Sequence, residues 1–374
     1  MKARDIAMIA SPGAECETRT NKTGVGQAGM SGGKAVFFAA DAAYFKLAWV
    51  AARRAAAEPG RDFDVWMLVD KAPAGIAPPP GVFIKEIELP EVFINASGPA
   101  HMSAFSYARL LAADHWLRDY DRLLYIDSDT RIAGALTPLL ELDLGHAMAA
   151  MAEDCGRYLG AAGGRENWDE YRAATGLPLD APYYNAGVML LDAARWREEG
   201  LGRQAEAMVR ARGPALRFMD QDVLNVLLAG RIAELSPRWN FMTHYMGLGL
   251  EAAVQPRILH YANVLKPWRD PEWAALYDKA DARAFARLFA DSPWPDFVHK
   301  GLGATLPWRK RAALRAARQA RHVPEAALAG HLANFAAMAP RLRRDVQAGF
   351  AEGVARYADL TPEEAARWQT ALAL

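Results

Sequence analysis

The order of apolar and amphipathic segments predicts an α/β fold: a mostly parallel sheet with helices on both faces. Two observations carry this. Apolar runs of strand length alternate with longer stretches of helical period. Several of those runs end on an aspartate, as in "VFFAAD" and "LLYID". That is the pattern of strands buried along their length that deliver polar groups at their carboxyl ends, where open α/β sheets bind ligands.

Taken in order, "KAVFFAAD" reads as a buried strand, and "YFKLAWVAARRAAAEPG" as a helix stopped by Pro59 and Gly60. "DFDVWMLVD" is a second strand, and the Pro-rich loop "APAGIAPPPG" leads to a third, "VFIKEIEL". "SAFSYARLLAADHWL" follows as a helix apolar nearly all round, and "DRLLYID" as a fourth strand. In the second half "HAMAAMAED", "AGVMLLD" and "RILHYA" have strand character. "AARWREEGLGRQAEAMVRAR" and "DQDVLNVLLAG" have helical character. Residues 1–33 lack any period and are expected to be a disordered or non-native extension, with Met30 an alternative start. Residues 34–298 are expected to form the catalytic-type domain, and 299–374 an Ala- and Arg-rich helical appendage.

Composition narrows the function classes. Forty-four basic residues balance 44 acidic ones in 374, so nothing calls for nucleic acid as a partner. Two cysteines, Cys16 and Cys155, make no disulfide framework and match no zinc spacing. The most apolar early run is broken by Asp41 and Lys46, short of the ~18 residues a membrane span needs. The expected location is therefore cytoplasmic.

Four Asp-x-Asp pairs occur: Asp62/Asp64, Asp119/Asp121, Asp127/Asp129 and Asp220/Asp222. Asp127/Asp129 stands out because an apolar strand delivers it. Strand period two would point both carboxylates to one side and Ser128 away. Two such groups attract a hard divalent ion that also takes phosphate oxygens, although a solvated strand end is an equal alternative. His260, after "RIL", would add an imidazole and favour Mn²⁺ over Mg²⁺, and Lys266 would neutralise phosphate. In "FMDQDVLN", helical period turns Asp220 inward and Asp222 to the flank. Arg109 sits in an apolar helix and needs a carboxylate or ligand partner. Asn185 and Gly187 precede an apolar strand, and an amide suits sugar hydroxyls.

Together, "FFAADAAY", "SYARL", "LLYIDSDT", "YYNAGVMLLD", "DQDVLN" and "HYANVLKPW" resemble glycosyltransferase family 8 over about Ala35 to Trp268. That family includes glycogenin and bacterial lipopolysaccharide galactosyl- and glucosyltransferases. The resemblance implies a GT-A type nucleotide-diphospho-sugar transferase fold. It implies Mn²⁺, with Mg²⁺ the alternative, on Asp127, Asp129 and His260, bridging the diphosphate of a UDP-sugar. It implies that Lys266 and His101 contact the diphosphate and that Asp41 lies near the base. Arg109, Asp154, Asn185, Asp220 and Gln221 are then expected to face the donor sugar or acceptor. Of these, Asp220, Gln221 and Arg109 form the catalytic set, and Ser128 counts with the nucleotide-sugar contacts. Tyr44 and Trp268 are read as packing. Two positions depart from the family pattern: Ala43 stands where Asn is usual after the first strand, and Asn263 where Gly is usual after His260.

The expected activity is retaining transfer of a hexose, glucose or galactose, from a UDP-sugar to a glycan or lipid-linked hydroxyl. A non-catalytic sugar-nucleotide binder is the alternative, and a two-carboxylate glycosidase is a weaker one. "WRKRAALRAARQARH" carries six Lys/Arg between Arg309 and Arg321, so the 305–325 segment is a candidate for peripheral contact with anionic lipid on the inner face of the membrane.

Overall fold

The computed structural model describes residues 33–96, 103–154, 168–177, 181–246, 254–262, 266–269 and 279–298. His101, Asn263, the 299–374 appendage and all of the N-terminal extension except Gly33 lie outside the described residues. Gly33 opens the first strand rather than closing the extension.

In chain order the strands are β1 Gly33–Ala40, β2 Asp64–Val69, β3 Val82–Glu86, β4 Tyr120–Ile126, β5 Thr130–Ile132, β6 Ala149–Glu153, β7 Tyr184–Asp192, β8 Ile232–Leu235, β9 Phe241–Met242 and β10 Ile258–His260. The helices are α1 Phe45–Ala56, α2 Glu91–Ile94, α3 Ala108–His115, α4 Thr137–Leu140, α5 Trp168–Thr175, α6 Ala193–Glu198, α7 Leu201–Arg212, α8 Asp220–Leu227 and α9 Lys279–Ala290. A seven-stranded sheet runs β3-β2-β1-β4-β7-β6-β8, and a small three-stranded one runs β5-β10-β9. In the large sheet β7 is antiparallel to both β4 and β6 and the other pairings are parallel, so the sheet is mostly parallel as expected.

Why the central strands read as unbroken apolar runs is plain from their faces. In β1, Val36 and Phe38 pack to one side and Ala35 and Phe37 to the other. The same alternation sorts Leu124 and Ile126 from Leu123 and Tyr125 in β4, and Val188 and Leu190 from Met189 and Leu191 in β7. A strand covered on both sides needs apolar residues at every position. One face is covered by α1 and by Phe285 and Phe289 of α9. The other is covered by α3, α6, α7 and α8, with Trp196 of α6 fully buried. Its indole nitrogen donates to Asp114 at 3.0 Å, which satisfies the one polar atom of that side chain.

Some elements differ from the sequence expectation. The segment before α3 begins as a 3₁₀ turn, Ala104–Tyr107, capped by the Ser103 hydroxyl, before it settles into an α-helix. "RILHYA" does form a strand, but it joins the small sheet, antiparallel to β5. That small sheet brings His260 opposite Thr130, and so next to the end of β4. Because chain order reverses between β1 and β4, the sheet has its switch point there, and the crevice outside those strand ends is where this architecture binds ligands.

Candidate active site

β4 ends at Ile126, and Asp127, Ser128 and Asp129 form the turn that leads into β5. The carboxylates therefore converge through a turn, not through strand period two. The amide of Asp127 donates to the Gly187 carbonyl at 2.8 Å, and the Thr130 hydroxyl donates back to the Asp127 carbonyl at 2.8 Å, which fixes the turn from both sides. The buried Ser128 hydroxyl donates to the Ala39 carbonyl at 3.2 Å. The structure thus gives its side chain a scaffold bond, tying the end of β4 to the end of β1.

Asp127, Asp129 and His260 each offer one donor atom, and these lie within 4.8 Å of one another. His260 Nε2 is 3.3 Å from Asp129 Oδ1 and 3.6 Å from Asp127 Oδ2. Two carboxylate oxygens and an imidazole nitrogen suit a borderline divalent ion that takes both oxygen and nitrogen ligands. The space is kept open by Gly187: a Cβ there would lie 2.2 Å from His260 Cε1 and 2.8 Å from Asp127 Oδ2. Any other residue at that point of β7 would push the imidazole or the carboxylate out of place.

Each carboxylate of the cluster is paired with its own cation, Asp129 with Lys266 and Asp127 with Arg109. Lys266, nearly buried, donates to Asp129 Oδ2 and to the Tyr261 carbonyl, both at 2.6 Å. Burial by itself would raise the Asp129 carboxyl, but Lys266 and His260 beside it hold it well below the usual carboxylate range. Arg109 lies buried beside Asp127. Its Nη2 donates to Asp127 Oδ1 at 2.8 Å, its Nη1 to the Ala186 carbonyl at 2.7 Å, and its Nε is 3.0 Å from Asp220 Oδ2. The guanidinium carbon sits 4.0 Å from the centre of the Tyr125 ring, whose hydroxyl donates to Asp127 Oδ1 at 2.6 Å. A buried cation is tolerated only when paired and hydrogen-bonded, and Arg109 is both.

Beyond Arg109 the site continues as an amide wall. Asn185 Nδ2 donates to Gln221 Oε1 at 3.1 Å and to Asp154 Oδ2 at 3.2 Å, and Gln221 Nε2 donates to the same Asp154 oxygen at 3.2 Å. Asp220 is buried as expected, and desolvation raises its carboxyl against the opposing pull of Arg109. The residues assigned to metal, phosphate and sugar thus share one continuous network, with His101 outside the described part.

Asp41 uses its Oδ1 to accept from the amides of Ala43 at 3.0 Å and Tyr44 at 3.1 Å, closing the turn after β1. Tyr44 packs against the core as expected, and burial, with Asp129 and Asp127, pushes its phenol up to about 12. Trp268 is packing as expected, against Tyr261 and Phe285. Asp222 was expected on the flank of its helix and is instead fully buried, accepting from the Tyr171 and Tyr183 hydroxyls and from the Phe218 amide. Asn240 was not foreseen. It is buried between His260 and Asn185, and a lone Asn before a two-residue strand carries no signal that would have singled it out.

The same fold is seen in solved structures. The galactosyltransferase LgtC, solved with donor and acceptor sugar analogues, matches with a TM-score of 0.55 at 24% identity, over 74% of this chain and 99% of that one. The bifunctional glycosyltransferase WbbM matches with a TM-score of 0.56 at 21% identity, over 74% of this chain and 53% of that one. The fold is that of the GT-A type. Residues 88–272 match Glycosyl transferase family 8, and this region of the chain is a domain of that family. Among its relatives, the lipopolysaccharide 1,2-glucosyltransferase of Escherichia coli K12 is 30% identical over 217 residues, 55% of this chain and 60% of the relative. The lipopolysaccharide 1,3-galactosyltransferase of Salmonella typhimurium LT2 is 26% identical over 198 residues, 50% of this chain and 55% of the relative. The matches thus span little more than half the length of these relatives.

Proposed function

We propose that the protein transfers a hexose, glucose or galactose, from a UDP-sugar to a hydroxyl of a glycan or lipid-linked acceptor, with retention at the anomeric carbon. The observation that carries this reading is the Asp127–Asp129–His260 cluster at the switch point of the sheet, flanked by Lys266 and Arg109. Asp127, Asp129 and His260 would hold Mn²⁺, or Mg²⁺ in its place. When bound there, the ion supplies Lewis-acid neutralisation of the diphosphate as the sugar–phosphate bond breaks.

The chain's own residues would do the rest. Lys266, held beside Asp129, would bring an ammonium to the phosphates. Arg109 keeps Asp127 in position and, through Asp220, ties it to the first turn of α8. Asn185, Gln221 and Asp154 offer donors and acceptors that suit sugar hydroxyls, in a part of the site that is half-buried or better. Asp220 is engaged by Arg109 and so serves to position rather than to attack, which favours delivery of the acceptor hydroxyl to the same face the diphosphate leaves. The cytoplasmic location and a peripheral contact of residues 305–325 with anionic lipid belong to the same proposal. Among the described residues no helix is long and apolar enough to cross a membrane. Co-sedimentation with anionic vesicles that is unchanged by deleting residues 305–374 would remove the lipid contact.

The test is release of UDP from UDP-glucose, UDP-galactose and their N-acetyl relatives, with and without Mn²⁺. At least one donor is expected to turn over only with the metal. Asp127→Ala should lower that rate more than about 100-fold, beyond what loss of an outer partner of a metal site costs. Turnover indifferent to Mn²⁺ and to this substitution would overturn the proposal.

A further inference from the structure

His260 Nδ1 lies 2.9 Å from Asn240 Oδ1, and Asn240 Nδ2 donates to Asn185 Oδ1 at 2.9 Å. Neither Asn can turn its amide over, because each is held from one end. The Gly187 amide donates to Asn185 Oδ1 at 3.0 Å, which makes that atom an acceptor. Asn240 must therefore present its NH₂ group to Asn185 and its oxygen to His260. Facing an amide oxygen, Nδ1 of His260 carries a proton, which leaves Nε2, facing Asp127 and Asp129, as the ring nitrogen that would take a metal ion. The other end of the relay is equally fixed. The Ala186 amide donates to Gln221 Oε1 at 3.1 Å, and Asn185 Nδ2 donates to the same oxygen, so Gln221 turns its NH₂ group to Asp154. Two backbone amides of β7, one residue apart, thus fix the Nδ1 proton at the metal end and the amide orientation at the sugar end. Asn240 is completely buried, Asn185 and His260 nearly so, and no substrate need reach Asn240 for it to act.

We infer that Asn240 is a positioning residue that couples the two halves of the site: it orients His260 for the metal, and its bond to Asn185 Oδ1 holds Asn185 in place, with Nδ2 of that residue against Gln221 at the donor-sugar end. The inference rests on the metal and donor assignment proposed above. Metal-ligating histidines depend on such a partner at their second nitrogen, and its loss typically costs about 10–100-fold in affinity or activity.

Two variants separate the two ends. Asn240→Ala removes both bonds and should weaken Mn²⁺ binding, measured with MnCl₂ alone by the loss of the free-ion EPR signal, by about 10–100-fold. Asn240→Asp keeps an oxygen for His260 but has no hydrogen to give Asn185. It should bind Mn²⁺ within about threefold of wild type while kcat for UDP release from UDP-glucose or UDP-galactose falls about tenfold or more, with KM for the donor little changed. Should Asn240→Ala fail to fold, the Asp variant carries the test, since it preserves size. Mn²⁺ affinity of Asn240→Ala equal to wild type, loss of Mn²⁺ binding in Asn240→Asp, or wild-type turnover by Asn240→Asp would each overturn the coupling. Absence of Mn²⁺ binding by the wild-type protein would instead overturn the metal assignment on which the coupling rests.

Discussion

Asp127 and Asp129 leave the end of a strand through a tight turn and meet at one point with His260. Asp220 and Asp222 have the same spacing, but they leave the first turn of α8 toward different partners: Arg109 for one, the hydroxyls of Tyr171 and Tyr183 for the other. The first pair keeps oxygens directed at a shared space. In the second, each carboxylate is engaged by the protein. Proximity in sequence says little about what two carboxylates share; the backbone between them and the cations around them decide. Asp62 and Asp121, from the remaining two copies of the pattern, sit at the surface in ion pairs with Lys34 and Arg197. Such exposed pairs contribute only about 0–1 kcal/mol.

The contrast can be broken most severely at Gly187. Gly187→Ala introduces a Cβ into the space His260 and Asp127 occupy. Mn²⁺ affinity should fall by at least about 100-fold, more than the loss of an outer partner costs, and calorimetric titration checks it. Near-normal affinity would mean that the cluster is not the binding point.

A stability measurement sharpens the other side. Asp222→Ala leaves two tyrosine hydroxyls and the Phe218 amide without their acceptor, at about 1–3 kcal/mol for each buried group. A total loss of about 3 kcal/mol or more in denaturant unfolding is expected. Mn²⁺ affinity at a temperature where the variant is folded should stay within about twofold of wild type, since Asp222 touches none of the ligands.

Acid dependence gives the smallest effect and the one whose sign differs between the pairs. Asp129 is held below its unfolded value by Lys266 and His260 despite its burial, so its contribution is complete above roughly pH 4 and is lost as pH falls further. Asp222 is raised by burial, against the hydrogen bonds from Tyr171 and Tyr183. Its ionised form therefore carries a cost above its native pKa, and that cost is relieved as pH falls. In thermal melts without added metal, the gap between wild type and Asp129→Asn should hold constant from pH 7 to about 4 and shrink below. The gap between wild type and Asp222→Asn should widen as pH drops from 7 toward 4. Parallel behaviour of the two gaps would contradict the opposite environments assigned here.

How much of this was legible in the sequence follows from the range of the interactions. β1, β4 and β7 announced themselves because strands buried on both faces need apolar residues at consecutive positions. Convergence of Asp127, Asp129 and His260 was readable through the ordered motifs, although the turn geometry behind it was not: strand period was the wrong cause for the right placement. Asp222 was misplaced because helical period reports only the helix's own faces, and the tyrosines that bury it come from α5 and from the residues just before β7. Asn240 stayed invisible, because its importance comes from Asn185 and His260, 55 and 20 residues away, and from two backbone amides that no residue type encodes.

The central claim is that Asp127, Asp129 and His260 form a divalent-metal site serving a nucleotide sugar. Titrating MnCl₂ into the protein in the presence of UDP, with free ion followed by EPR, tests it most directly. One Mn²⁺ per chain is expected, bound more tightly with UDP than without, and lost in both Asp127→Ala and His260→Ala while each variant still melts cooperatively. Stoichiometric binding that survives both substitutions would contradict it.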